Sequence, residues 1–177
     1  MKYIGGKPRF YKPEYLAESV GDIDFRLLKR KGIEVALIDL DGTVVERGQY
    51  EVSPKITKIL KSQPLKIYIA TNRPKSRDLK NLKEQLHAQG VIHPRGLLGK
   101  PFTTYYEAAV ETIGLKPVQA IMIGDRYIQD IIGANRAGLH TLVVNKIDKP
   151  TNFFDKVLST MERRLTAKLL KAYKEVK

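Results

Sequence analysis

The chain has 177 residues with 42% hydrophobic content, a length and apolar share that suit one domain with a substantial core. There are 32 Lys and Arg against 19 Asp and Glu, a net charge of +13, which favours anionic partners such as nucleic acid, anionic lipid surfaces or phosphorylated metabolites. The absence of cysteine excludes disulfides, zinc-thiolate sites and a thiol nucleophile, and the N-terminus lacks the apolar core of a signal peptide, so a cytoplasmic location is expected.

Residues 1–32 read as an irregular Pro- and Tyr-containing arm followed by a short helix that stops at Gly32. Residues 33–145 read as the catalytic core. Val35 to Leu40 is a short aliphatic run, the pattern of a buried strand, and it ends in Asp39 and Asp41, which share one strand face. Val44 to Val52 is β-leaning and reads as a hairpin flap turning at Gly48. Ser53-Pro54 opens a helix running to about Ser62.

A second buried strand, Lys66 to Ala70, ends at Thr71-Asn72-Arg73-Pro74. Ser76 opens a helix reaching Gly90, and Val91-Ile92 leads to Gly99-Lys100-Pro101. A helix over about 103–113 closes at Gly114. Gln119 to Ile123 is the next strand, ending in Gly124-Asp125; a helix from about Ile128 to Ala137 and a last strand, His140 to Val144, follow. Strands alternating with helices predict an α/β fold with a central parallel sheet and helices on both faces. His87, His93 and His140 show no ligand spacing and read as structural or exposed.

In open α/β sheets ligands bind outside the carboxyl ends of the strands, so Asp39, Asp41, Thr71, Asn72 and Asp125 should converge. Buried carboxylates need a partner, and three of them suit Mg²⁺, which takes carboxylate, water and phosphate oxygens. Lys100 offers a point charge for phosphate, and the Thr71 hydroxyl a donor. A carboxylate can be the nucleophile in phosphoryl transfer while a second acid handles the proton. Asp130 divides evenly between a helix cap and a metal role, and Asn72 between a turn and a substrate contact. Arg73 and Arg126 read as surface residues more than as grips for a second anion.

Four stretches together resemble the haloacid dehalogenase (HAD) superfamily: Asp39-Leu40-Asp41-Gly42-Thr43-Val44, Ala70-Thr71-Asn72, Lys100-Pro101, and Gly124-Asp125 through Ala134. The resemblance implies a three-layer Rossmann-like fold and a set of roles. Asp39 would be nucleophile and Mg²⁺ ligand. Asp41 would be acid and base, lending its backbone carbonyl to the metal. Asp125 would be a metal ligand, with Asp130 in or near its outer sphere. Thr71 would bind the phosphoryl group and Lys100 would stabilise the aspartyl-phosphate. An acid at position 41 points to phosphate esters rather than carbon–halogen or carbon–phosphorus bonds.

The short spacings from Asp41 to Thr71 and from Thr71 to Lys100 leave no room for a large cap domain, so an open site is expected, reachable by a macromolecular or membrane-borne phosphate. Residues 151–177 place apolar side chains at helical spacing opposite a basic face, with seven Lys and Arg against three Asp and Glu. Such a helix can pack on the domain or lie on anionic lipid as a peripheral membrane contact. The flanks, Lys12 to Asp24 and Gly133 to Gly138, resemble the YqeG-type class IIIA subfamily, related to phosphatidylglycerophosphate phosphatases. The expected partner is thus a phosphorylated substrate, an anionic lipid above others. A soluble sugar-phosphate or nucleotide phosphatase and a basic nucleic-acid- or ribosome-associated protein are the alternatives, the last supported by charge alone and lacking any RNA-binding signature.

Overall fold

A computed structural model of the chain describes residues 1–3, 12–94 and 98–147. The expected basic helix at 151–177 lies outside the described residues. Twelve elements follow in chain order: β1 (Lys2–Tyr3), β2 (Tyr15–Ala17), α1 (Phe25–Arg30), β3 (Val35–Ile38), α2 (Pro54–Ser62), β4 (Lys66–Ala70), α3 (Arg77–Gln85), β5 (Gly90–Ile92), α4 (Thr103–Ile113), β6 (Ala120–Gly124), α5 (Gly133–Arg136) and β7 (His140–Val144). The sheet order is β1-β2-β7-β6-β3-β4-β5, parallel throughout except for β1 against β2. This is the expected α/β architecture.

β3 lies inside the sheet, between β6 and β4, and its residues are apolar on both faces, as a strand covered by helices on both sides must be. Val35 to Ile38 are all fully buried. Ala36 and Ile38 join a core with Phe25 and Leu28 of α1, Leu60 of α2, and Leu79 and Leu82 of α3. Val35 and Leu37 face the opposite way, against Tyr106, Ala109 and Val110 of α4 and Ala134 of α5. Helices α1, α2 and α3 each start where a short oxygen-bearing side chain satisfies an orphan amide: Asp24 accepts from Leu27 N–H at 2.8 Å, Ser53 from Ile56 N–H at 3.4 Å, and Ser76 from Leu79 N–H at 3.3 Å.

Three local readings are corrected. The arm is not wholly irregular, because Tyr15–Ala17 is a strand parallel to β7, with Tyr15 level with Leu142. Glu14 N–H donates to the Thr141 carbonyl at 3.1 Å, and Asn135 donates to the Lys12 carbonyl at 2.9 Å while accepting from the Thr141 hydroxyl at 2.8 Å. Val44 to Val52 forms no hairpin of paired strands; a single bridge joins Asp41 to Val45, and the loop turns at Gly48 with φ +77. The helix opened by Ser76 ends at Gln85, and Gly90 instead starts β5 beside Tyr68, whose ring would sit 3.0 Å from any Cβ there.

Between β3 and β4 the chain holds one loop and α2, and between β4 and β5 only α3 and its connection, so no large cap is inserted at either place. No helix among the described residues is long and apolar enough to cross a membrane.

Candidate active site

Register brings the polar strand ends together. Ile38 lies level with Ile69 of β4 and Ile123 of β6, so the residues just beyond them leave the sheet side by side. Asp39 N–H still bonds the Ile123 carbonyl at 2.9 Å, which holds the first acid rigidly at the strand end. Asp39, Asp41, Thr71, Asn72 and Lys100 line one cavity of about 220 Å³, together with Arg47, Arg73, Arg126 and Gln129.

At its floor, Lys100 Nζ donates to Asp39 at 2.6 Å and to Asp130 at 2.7 Å, and all three side chains are buried. Asp130 comes from the π-helical turn Tyr127–Ile132 that follows β6, and its second oxygen accepts from Arg126 N–H at 3.1 Å. It fits because Gly124 has no side chain: a Cβ there would lie 2.3 Å from the Asp130 carboxyl group. Asp130 is therefore a buried anchor of Lys100, a contact that neither the cap reading nor the metal reading included.

Asp125 is 6% exposed; one oxygen accepts from the Thr43 hydroxyl at 3.1 Å, and the other, Oδ2, is buried without a hydrogen-bond partner among the described residues. Oxygens of Asp39, Asp125 and Asp130 lie within 4.8 Å of one another. Burial, then the charges of Asp130 and Asp39, push the Asp125 carboxyl up to about 8. Burial likewise pushes Asp39 up to about 6, although the Lys100 charge pulls the other way. Burial alone would depress Lys100, but the Asp130 and Asp39 carboxylates more than offset it and raise it. Three carboxylates against one ammonium leave a formal charge of −2, and one buried oxygen of Asp125 has no hydrogen-bond partner among the described residues. A hard divalent cation meets both deficits, so these residues fit Mg²⁺. Gly42 keeps the approach open: its φ is +82, and a Cβ would sit 2.7 Å from Asp125 Oδ2.

Asp41 takes a different place. Its carboxylate is not in the acidic trio but turns to Arg73, accepting from Nε at 2.9 Å and from a terminal nitrogen at 2.6 Å, and it also accepts from Gly48 N–H at 3.0 Å. Burial raises its pKa, but the Arg73 and Gly48 hydrogen bonds win and the carboxyl lies below its ordinary value. The metal contact expected of residue 41 is its backbone carbonyl, which the side-chain bonds to Arg73 and Gly48 do not engage.

Thr71 is buried at the end of β4; its hydroxyl accepts from Arg73 N–H at 3.0 Å, which leaves its proton for donation. Asn72 lines the cavity, yet both ends of its amide engage the Lys100 main chain: Nδ2 donates to the carbonyl and Oδ1 accepts from the N–H, each at 2.9 Å. It clamps the loop that carries the lysine. The surface reading of Arg73 is overturned: its side chain is 11% exposed, and it also donates to the Gln49 carbonyl at 3.1 Å and stacks on Tyr50 with 4.7 Å to the ring centroid. Arg126 is half-buried on the cavity wall rather than on the open surface. Arg73, Thr43, Arg47 and Gln129 are the site residues that sequence reasoning missed. Of these, only Thr43 carried a usable signal, lying inside the first acidic stretch.

The comparisons agree with this geometry. The HAD-hydrolase-like family model matches residues 97–148, the stretch carrying Lys100, Asp125 and Asp130. The chain is 27% identical to "Probable phosphatase YqeG" of Bacillus subtilis over 91% of this chain and 92% of that protein. It is 42% identical to the phospholysine phosphohistidine inorganic pyrophosphate phosphatase of Xenopus laevis, over 48 residues that make up 18% of that protein. Among solved structures, the HAD phosphatase of Thermococcus onnurineus superposes with a TM-score of 0.54 at 18% identity, over 68% of this chain and 90% of that one, a likeness of fold. With four motifs meeting at one sheet edge, the chain is similar in sequence to HAD-like hydrolases and to a probable phosphatase, and similar in fold to a HAD phosphatase.

Proposed function

We propose that the protein is a Mg²⁺-dependent phosphomonoesterase that works through an aspartyl-phosphate on Asp39. The observation that carries this reading is the pairing of a buried, lysine-held Asp39 with the orphaned oxygen of Asp125 at one end of the sheet. Bound Mg²⁺ would be held by Asp39 and Asp125 and would supply positive charge that offsets the phosphoryl oxygens.

In the first step an Asp39 oxygen attacks phosphorus, the ester P–O bond breaks, and the departing alkoxide takes a proton from Asp41. In the second, water attacks phosphorus while giving a proton to Asp41; the bond to Asp39 breaks and inorganic phosphate leaves. Lys100 and the Thr71 hydroxyl hold the equatorial oxygens in both steps, the positioning and charge stabilisation on which phosphoryl transfer depends. The Arg73 contact keeps Asp41 ionised, so the base step is prepared and the acid step requires that contact to loosen.

Phosphatidylglycerophosphate is the leading substrate. It is supported by the YqeG-type flanks, by the full-length similarity to YqeG and by a site with no inserted cap. A soluble small phosphoester is the second reading, supported by short matches to proteins named glyceraldehyde 3-phosphate phosphatase in two archaea. Phosphate release from phosphatidylglycerophosphate vesicles and from a panel of sugar phosphates and nucleotides, each with and without Mg²⁺, separates the two. Near wild-type turnover by Asp39→Asn would refute the mechanism.

A further inference from the structure

Large apolar side chains are exposed in this protein with a strong bias of place. Among the described residues seven are exposed: Tyr3, Tyr50, Leu98, Phe102, Val118, Ile128 and Ile147. Scattered singly, such residues need no explanation. Five of the seven, all but Tyr3 and Val118, stand on the segments that follow the parallel strands at their carboxyl edge, the edge that carries the candidate site: four outside regular elements and Ile128 in the π-helical turn.

Each of the five is tied to a site residue. Tyr50, on the loop after β3, lies under the Arg73 guanidinium. Leu98 and Phe102 flank Lys100 two positions away on either side. Ile128 sits between Arg126 and Gln129, which line the cavity. Ile147, beyond β7, donates its N–H to the Gly42 carbonyl at 2.9 Å. Inside this rim the cavity wall carries three guanidinium groups, from Arg47, Arg73 and Arg126. Apolar side chains around a cationic mouth are the chemistry that anionic lipid surfaces recognise: the apolar groups enter the acyl boundary and the guanidinium groups meet phosphate headgroups.

We propose that the carboxyl edge of the sheet is a membrane-docking face which seats the active-site mouth on an anionic bilayer. A protein partner or a second copy on the same rim would close the cavity, whereas a bilayer brings headgroups to it. The net charge of +13 adds attraction in the same direction. The proposal goes beyond the phosphatase reading, because docking requires no turnover.

The test is sedimentation of the full-length protein with vesicles of phosphatidylcholine alone and of phosphatidylcholine with phosphatidylglycerol. The wild type is expected to partition to the anionic vesicles, and Phe102→Glu/Ile128→Glu to lose about tenfold of that partitioning. Val118→Glu, a rim-distant exposed control, is expected to bind as the wild type does. Circular dichroism checks the fold, and Leu98→Glu/Ile147→Glu provides an independent second pair. Equal binding by the rim variants and the wild type would overturn the proposal, as would a wild type that ignores anionic vesicles. So would a concentration-dependent dimer that the rim substitutions abolish. Hydrolysis of p-nitrophenyl phosphate by the wild type is measured in parallel: turnover without vesicle binding defeats docking and keeps the phosphatase, and vesicle binding without any turnover does the reverse.

Discussion

Arg73 grips Asp41 through two parallel hydrogen bonds, although the two residues are 32 positions apart and leave different strands. The pair lowers the proton affinity of Asp41, the acid that the proposed mechanism uses in both of its steps. In Arg73→Gln the Asp41 carboxyl loses the charge and paired hydrogen bonds of Arg73 and keeps the Gly48 bond, so its pKa rises. The limb of the kcat–pH profile belonging to Asp41 is expected to move to higher pH. Stability follows the opposite logic. A carboxyl depressed in the folded state contributes stability that is present above the unfolded value and is lost as pH falls through the folded one. The stability gap between wild type and Arg73→Gln should therefore close as pH drops below about 3.8, measured by urea unfolding across an acid series.

Lys100 bonds two buried carboxylates at once, Asp39 and Asp130. Lys100→Met leaves both uncompensated, and breaking a buried pair in this way costs about 3 kcal/mol. Activity is expected to fall by at least ~100-fold, since a preorganised charge at the phosphoryl oxygens is lost. Thermal unfolding and steady-state turnover read the two effects separately.

Asp125 carries the opposite cost. Its folded carboxyl is pushed up to about 8, so without a cation the charged form is disfavoured by folding. Stability of the metal-free protein should fall as pH rises from about 4 towards 8, the interval in which the unfolded state has released a proton that the folded state keeps. Asp125→Asn removes that slope and should stabilise the metal-free protein near neutral pH by on the order of 2 kcal/mol. The same variant should lose both activity and any rise in melting temperature on adding Mg²⁺.

His140, at the start of β7, pairs with Glu14 beside β2. The Glu14 hydrogen bond raises the imidazole above 6.5 despite burial. The contribution is full below the unfolded value and is lost as pH rises through the raised folded one. Glu14→Gln should therefore destabilise the protein most below about pH 6.5 and progressively less above it, which denaturation midpoints from pH 5 to 9 would show.

The parts of the fold that were legible in the sequence are those in which local pattern and tertiary role coincide. Val35 to Ile38 is apolar on both faces because helices cover both faces, and Ser53-Pro54 caps a helix wherever that helix packs. β2 was not legible: its three residues owe their strand form to β1 on one side and to β7, more than a hundred positions away, on the other, and have no periodicity of their own. Val44 to Val52 shows the converse, with β-forming residues but no partner strand among the described residues. In the site, Asp39, Thr71, Lys100 and Asp125 sit where strand ends converge, so their positions could be read from the strands. Arg73 could not be read that way, because its importance lies in where a long side chain reaches. Asn72 was half legible, since a turn residue or a substrate contact was expected but not its two hydrogen bonds to the Lys100 main chain.

Asn72 and Arg73 are neighbours in the chain and divide the pocket between them. Asn72 fastens the lysine loop through two main-chain bonds, so the phosphoryl-holding half forms a fixed block with Asp39 and Asp130 beneath it. Arg73 fastens the loop of Gln49 and Tyr50 through side-chain contacts that an incoming anion can exchange. Within one dipeptide the two fastenings are separate: under the proposed mechanism, the side chains of residues 49 and 50 could change with the leaving group while the Asn72–Lys100 clamp stays as it is.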